Sequence, residues 1–206
     1  MLAEKSYSRE RAVEYARRWA LSRNPLFTDF TGRGGNCTNF VSQCVFAGSC
    51  VMNDTADFGW YYVSETDRAP AWSSVEYFYD FMTGVPAFAS QNGGVGPYAT
   101  EVSARRAEIG DVVQLADAEG DWYHTLIISK IEGGEIYVCA HSDDALDRPL
   151  STYRQAAAAR FLHIEGVRFE VTDGLCFEVL INGGVEDAPP PEQMPESDRP
   201  DIIVGS

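Results

Sequence analysis

Cys37 lies in the stretch Gly34-Gly35-Asn36-Cys37-Thr38, where a glycine-rich loop gives way to a helical pattern. That position suits a thiol nucleophile. The attacking species is the thiolate, and a free cysteine, with a pKa of about 8.5, is mostly protonated at neutral pH. The first turn of a helix offers unpaired N–H groups and the positive end of the aligned peptide dipoles, and both favour an anion. Gly34 and Gly35 leave room for a substrate backbone, and the Cys37 N–H could itself donate to an oxyanion. Cys44 is the contrast. It falls on the apolar stripe of the same helix and reads as core, the usual fate of a free cysteine.

An attacking thiol needs a base, and the chain holds three histidines, at positions 124, 141 and 163. In Trp122-Tyr123-His124-Thr125-Leu126-Ile127-Ile128, His124 shares a strand face with Leu126 and Ile128. A turn through Gly133-Gly134 folds the next segment back against it. The simple register of that hairpin sets Asp143 opposite His124, roughly 5 Å away, and makes His141 a diagonal neighbour on the same face at about 7–8 Å. Either could accept the second imidazole N–H and hold the ring towards Cys37. A one-residue bulge would change the pairing. His163 has no such company and reads as an ordinary core or surface side chain.

The elements that must position these residues follow from periodicity. Ala12, Val13, Ala16, Trp19 and Ala20 form one helical stripe between Ser8, a candidate N-cap, and about Ser22, and Asn24-Pro25 stops that helix. The Cys37 helix turns Phe40, Val41, Cys44, Val45 and Gly48 inward, with Gly48 expected to close it. Residues 51–71 read as an irregular, aromatic segment around Trp60, with Trp60 and Trp72 favoured as core over cleft lining. Ser73 or Ser74 caps a third helix with Val75, Phe78, Tyr79 and Met82 inward, and Gly93–Pro97 is loop. The period then changes. Asp111–Leu115, Trp122–Ile131, Glu135–His141 and Phe161–Ile164 read as strands, with Val167–Val171 and Cys176–Leu180 as a later pair. Helices followed by strands indicate an α+β fold with a mostly antiparallel sheet. The domain is set at residues 7–183, and residues 184–206 form an acidic, proline-rich tail that cannot bury a core.

Gly34-Gly35-Asn36-Cys37-Thr38-Asn39-Phe40-Val41-Ser42-Gln43-Cys44 resembles the signature of the Putative amidase domain family, which is related to NlpC-type and CHAP cysteine amidases and peptidases. Arg23-Asn24-Pro25, Trp60-Tyr61-Tyr62, Gly110-Asp111-Val112-Val113-Gln114, the block from His124 to Ile128, and Ala140-His141-Ser142-Asp143 agree with it in order, over roughly residues 7–165. The resemblance implies a papain-like fold. It also implies Cys37 as nucleophile, His124 as base and a polar residue on the next strand as third member, which His141 matches best, with Asp143 as the alternative. The oxyanion hole would then comprise the Cys37 N–H and a polar side chain some way upstream, for which Asn24 is the candidate. One departure is Asn36, since related domains carry aspartate before the cysteine; asparagine keeps hydrogen-bonding capacity and removes an anion that would oppose the thiolate. The expected reaction is hydrolysis of a peptide or amide, with cell-wall peptides as a candidate substrate, and it needs no cofactor. The alternatives are an acyltransferase and a non-catalytic binding module on the same scaffold.

Composition narrows the field. The 206 residues carry a formal net charge of −15 and no basic stripe, which argues against nucleic acid. No apolar run approaches the ~20 residues of a membrane span. A zinc site from Cys139 and His141 with His124 or Cys176 lacks paired ligand spacing. Five cysteines leave at least one thiol free, and a chain of this size needs no disulfide to fold. The first residues lack a secretory signal, so the chain as written is expected in the cytoplasm, or outside the cell if a signal has been removed.

Overall fold

Helices predominate up to Thr83 and strands from Gly96 to Phe169, as the change of period predicts. The structure, a computed structural model, describes residues 2–84, 94–170 and 175–184. Its elements are β1 (Ala3–Lys5), α1 (Arg9–Trp19), α2 (Asn36–Ser49), α3 (Pro70–Ser73), α4 (Val75–Thr83), β2 (Gly96–Val102), β3 (Val112–Ala116), β4 (Trp122–Glu132), β5 (Glu135–Ala140), β6 (Ala145–Pro149), β7 (Ala158–Phe169) and α5 (Cys176–Ile181). The strands make one antiparallel sheet in the order β1-β7-β3-β4-β5-β6, with β2 also paired to β7. This is an α+β fold.

Strict alternation sorts the central strands onto two buried faces. Val112, Ile127, Cys139 and Leu162 join the core beneath α1 and α2. Val113, Leu115, Leu126, Ile128, Val138 and Ala140 form a second cluster on the opposite face, against which Leu150 and Tyr153 pack. Every residue of α2 except Phe46 is buried, so this helix runs through the interior between α1, α3 and the sheet. Burying Phe40, Val41 or Val45 contributes about 1.5–3 kcal/mol each.

The polar residues of α2 are bonded throughout. Asn39 accepts from the Trp72 indole (2.9 Å), Ser42 accepts from the Trp60 indole (3.0 Å) and donates to the Trp72 carbonyl (2.8 Å), and Gln43 accepts from the Tyr15 hydroxyl (2.8 Å). Trp60 and Trp72 are therefore core, both fully buried.

Several expectations change. Gly48 lies inside α2, where the ring of Tyr7 occupies the space a Cβ would need; the helix ends a residue later, with Cys50 in the left-handed region (φ 48°). On α4 the buried residues are Phe78, Phe81 and Met82, and Tyr79 lies instead beneath the guanidinium of Arg160. Cys176–Leu180 is helical rather than a strand: Cys176 is disulfide-bonded to Cys50 at the end of α2, and α5 packs on α1 and α2. Val167–Phe169 continues β7, while Val171 lies outside the described residues. The short β1, the β2 strand beginning at Gly96 and β6 carried no periodic signal strong enough to read. The tail from residue 185 onward also lies outside the described residues.

Candidate active site

The start of α2 is fixed by a backbone requirement. Gly35, its N-cap, has φ 85°, and a Cβ there would stand 2.6 Å from the Ser73 carbonyl oxygen, so glycine fits both the conformation and the contact. Having no side chain, Gly35 supplies no capping oxygen to the first-turn N–H groups. Asn36 ties the preceding loop down: its Oδ1 accepts from Phe30 N–H (3.0 Å) and Asn39 (3.0 Å), and its Nδ2 donates to Thr31 (3.1 Å). Cys37 follows as the second helical residue. Its thiol is free, and its Sγ is 3.8 Å from Thr38 Oγ1.

Cys37 opens onto a cavity of about 590 Å³ that His124 also lines, together with Gly34, Gly35, Asp143, Arg148, Tyr153 and Arg154 among others. The other cysteines are excluded from such a role by their places. Cys44 and Cys139 are buried in the core, where burial pushes both thiols up, Cys44 well up, and Cys50 is bonded to Cys176. The disulfide also removes Cys176 from the zinc set considered above.

His124 pairs with Leu115 across β3–β4, beside a bulge that leaves Tyr123 without a partner. Its ring lies near parallel to Tyr123 (6.1 Å between centroids) and 6.0 Å from Tyr153. Only 8% of the residue is exposed, and burial lowers its pKa from 6.5 to about 4; the Asp143 carboxylate opposes that shift and Arg148 adds to it. At neutral pH the imidazole is therefore uncharged and able to accept a proton. Asp143 is paired with Arg148, and that bond and the nearby His124 hold its carboxyl below the usual range.

The simple hairpin register does not hold. Glu132 faces Glu135 and Ile131 faces Ile136, as expected, but a bulge at Ser129 shifts the ladder so that Ile128 faces Val138 and Ile127 faces Cys139. One inserted residue sends every side chain beyond it to the other face of the partner strand. His141, two residues after Cys139, consequently shares the α2 face, whereas His124 alternates with Leu126 and Ile128. His141 is used there in full. Its Nε2 donates to the Trp19 carbonyl (2.9 Å), its Nδ1 lies 3.4 Å from Asn36 Nδ2, and its ring stacks on Phe40 (3.9 Å). Among the described residues no hydrogen bond joins it to His124. The structure thus brings Cys37, His124 and Asp143 to one cavity and places His141 behind Asn36, as a support for the helix start.

Asn24 is also placed away from the cavity. It is buried, donates to the Tyr15 hydroxyl (2.8 Å) and the Leu180 carbonyl (2.9 Å), and accepts from Leu26 N–H (3.0 Å), so its amide ties the Tyr15 side chain of α1 to α5. His163 joins Asp111 (2.9 Å) and Arg9 in a cluster linking α1 to β3 and β7. Sequence reasoning missed Arg148, Tyr153 and Arg154. They come from β6 and the segment after it, where neither spacing nor composition marks them.

Residues 6–164 match the family described as Putative amidase domain. The chain is 31% identical over 169 residues to the uncharacterized protein YhbB of Bacillus subtilis, covering 77% of this chain and 50% of that protein. It is 26% identical over 156 residues to the uncharacterized protein YjcM of the same organism, covering 70% of this chain and 33% of that one. The chain thus spans half or less of the length of these curated relatives. No solved structure matches.

Proposed function

Because the chain belongs to the Putative amidase domain family, we propose that it hydrolyses an amide by acyl transfer through Cys37, with His124 as base and Asp143 supporting His124. The observation that carries this reading is that the free thiol at the start of α2 and a buried, uncharged imidazole line one cavity. As Cys37 Sγ bonds to the amide carbonyl carbon, its proton passes to His124, and the Cys37 N–H faces the developing oxyanion. His124 then gives that proton to the departing amine as the C–N bond breaks, leaving a thioester. Water adds to the thioester with His124 again as base, and the carboxylic acid and the thiol are released. The imidazolium formed in each half is transient, and Asp143, the one carboxylate among the lining residues, offsets its charge. In this reading the helix-on-sheet arrangement is papain-like.

The cavity also favours a substrate bearing a carboxylate. Arg154 lines it and enters no ion pair among the described residues, in a chain of net charge −15. Cell-wall peptides are amides that carry such groups. The Cys50–Cys176 disulfide fits an oxidising compartment, and so an exported domain, better than the cytoplasm.

The test is incubation of the purified protein with muropeptides and with simple peptide amides, followed by mass spectrometry of the products. A new amine and acid pair that is lost in Cys37→Ala and in His124→Ala supports the reading. Transfer of the acyl group to an added amine rather than to water would make the domain an acyltransferase. Binding without turnover at any pH would make it a binding module.

A further inference from the structure

Beneath Cys37 a line of buried side chains runs across the sheet to Arg160, and the bonds from Arg160 as far as Thr125 have a fixed direction. Arg160 can only donate, and its Nε–H reaches Gln114 Oε1 (2.8 Å). Gln114 must therefore turn its Nε2 the other way. One of the two Nε2 hydrogens goes to the Val75 carbonyl (2.8 Å), and the other goes to Thr125 Oγ1 (3.3 Å). Thr125, accepting there, keeps its own hydroxyl hydrogen, which can be given to Thr38 Oγ1, 2.9 Å away. Thr38 in turn has one hydrogen left, and Cys37 Sγ lies 3.8 Å from its oxygen. Thr38, Thr125 and Gln114 are fully buried and Arg160 nearly so; its guanidinium is held between the rings of Tyr79 (3.6 Å) and Trp122 (4.0 Å), with Glu76 at 3.0 Å.

We propose that Gln114, Thr125 and Thr38 are positioning residues, forming a one-way hydrogen-bond chain that begins at the Arg160 cation and ends by donating to the Cys37 thiolate. This deepens the assignment of Cys37 as nucleophile and rests on it. In a buried setting such donors polarise one another, so the last hydroxyl is a better donor than an isolated threonine. The chain stabilises the sulfur after its proton has left, and the hydroxyl of Thr125 acts although it lies one residue away from contact with the thiol. The ionisable groups that share the cavity with Cys37 are Tyr123 and His124 on β4, Asp143 in the β5–β6 turn, Arg148 on β6, and Tyr153 and Arg154 after it. None of them belongs to the chain.

The experiment is the rate of Cys37 alkylation by iodoacetamide from pH 5 to 9, read on the Cys37 peptide by mass spectrometry, in the full chain and its variants. Thr125→Val keeps the side-chain volume and removes the donor. It is expected to move the alkylation midpoint up by about one pH unit, a tenfold loss of thiolate below the midpoint. Thr125→Ser, which restores the hydroxyl, returns the midpoint to that of the parent. Thr38→Val and Thr38→Ser repeat the pair at the sulfur itself, should the first site not tolerate change. A parent-like midpoint in folded Thr125→Val and Thr38→Val overturns the chain while leaving the nucleophile in place. If Cys37 in the parent labels like an ordinary exposed thiol, the nucleophile assignment falls, and this inference with it.

Discussion

Replacing His124 by Gln should flatten the dependence of stability on pH. In the folded protein burial holds the His124 pKa at about 4, against 6.5 in the unfolded chain. Between these values the unfolded state binds more protons than the folded one, so stability rises with pH across that window. The full contribution is present above about pH 6.5, and it is lost as the pH falls towards 4. A separation of 2.5 units corresponds to about 3 kcal/mol between the two limits. Asp29, Asp143 and His141 also have lowered values, so the parent loses stability on acidification for several reasons. The difference between parent and His124→Gln isolates the one group. Urea unfolding at steps from pH 4.5 to 7.5 spans most of the effect. With a slope of about 2 kcal/mol per molar urea, the gap between the two midpoints should change by roughly 1 M across the series, the parent gaining on the variant as the pH rises. A gap that stays constant would show that His124 is not held uncharged by burial, and the argument for it as a resting neutral base would go with it.

Asp143→Ala should lower kcat at least tenfold, by leaving the His124 imidazolium without its carboxylate, while changing the unfolding midpoint little. His141→Ala should cost about 2–4 kcal/mol in urea unfolding, because it removes a buried ring stacked on Phe40 and the bonds to Trp19 and Asn36. Its kcat in the folded fraction should fall less than that of Asp143→Ala; the reverse order would restore His141 as the partner of His124. Asn24→Ala should destabilise by about 2 kcal/mol by the same assay and leave kcat near that of the parent, since its bonds run to Tyr15, Leu180 and Leu26. A large loss of kcat at unchanged stability would return Asn24 to the oxyanion hole. Reducing the Cys50–Cys176 bond, which links residues 126 apart, should lower stability by about 2–5 kcal/mol, measured by unfolding with and without reductant.

Much of the scaffold was legible because its signals are local. Ser8 does cap α1 and Ser74 does cap α4, each accepting from a first-turn N–H, and the change from a helical to a two-residue period marks the boundary between the layers. The nucleophile and base candidates were legible for a similar reason: a glycine pair before a helix, and a histidine on an apolar strand, are written in neighbouring residues. The choice between His141 and Asp143 beside His124 was not. It depends on the bulge at Ser129, which no residue in Ile128-Ser129-Lys130 announces, and which puts the two histidines on opposite faces. Asn24 was misplaced by a related limit, since its partners Tyr15 and Leu180 lie 9 and 156 residues away and only the folded chain assembles them. Helix α5 was read as a strand because a short apolar run fits either period, and the bond from Cys176 to Cys50 that seats it on α2 has no local signature.

The polar side chains of α2 bear on how this family can be recognised. Asn39, Ser42 and Gln43 serve as acceptors for Trp72, Trp60 and Tyr15, and so wire the helix to its aromatic surroundings. Nothing in that wiring depends on the sulfur two residues before Asn39. A homologue could exchange the cysteine for serine or alanine and still keep the rest of the motif, under the same pressure to satisfy its indoles. Matches to the block therefore sort sequences by architecture, and the identity of the residue at position 37 has to be read separately before chemistry is assigned.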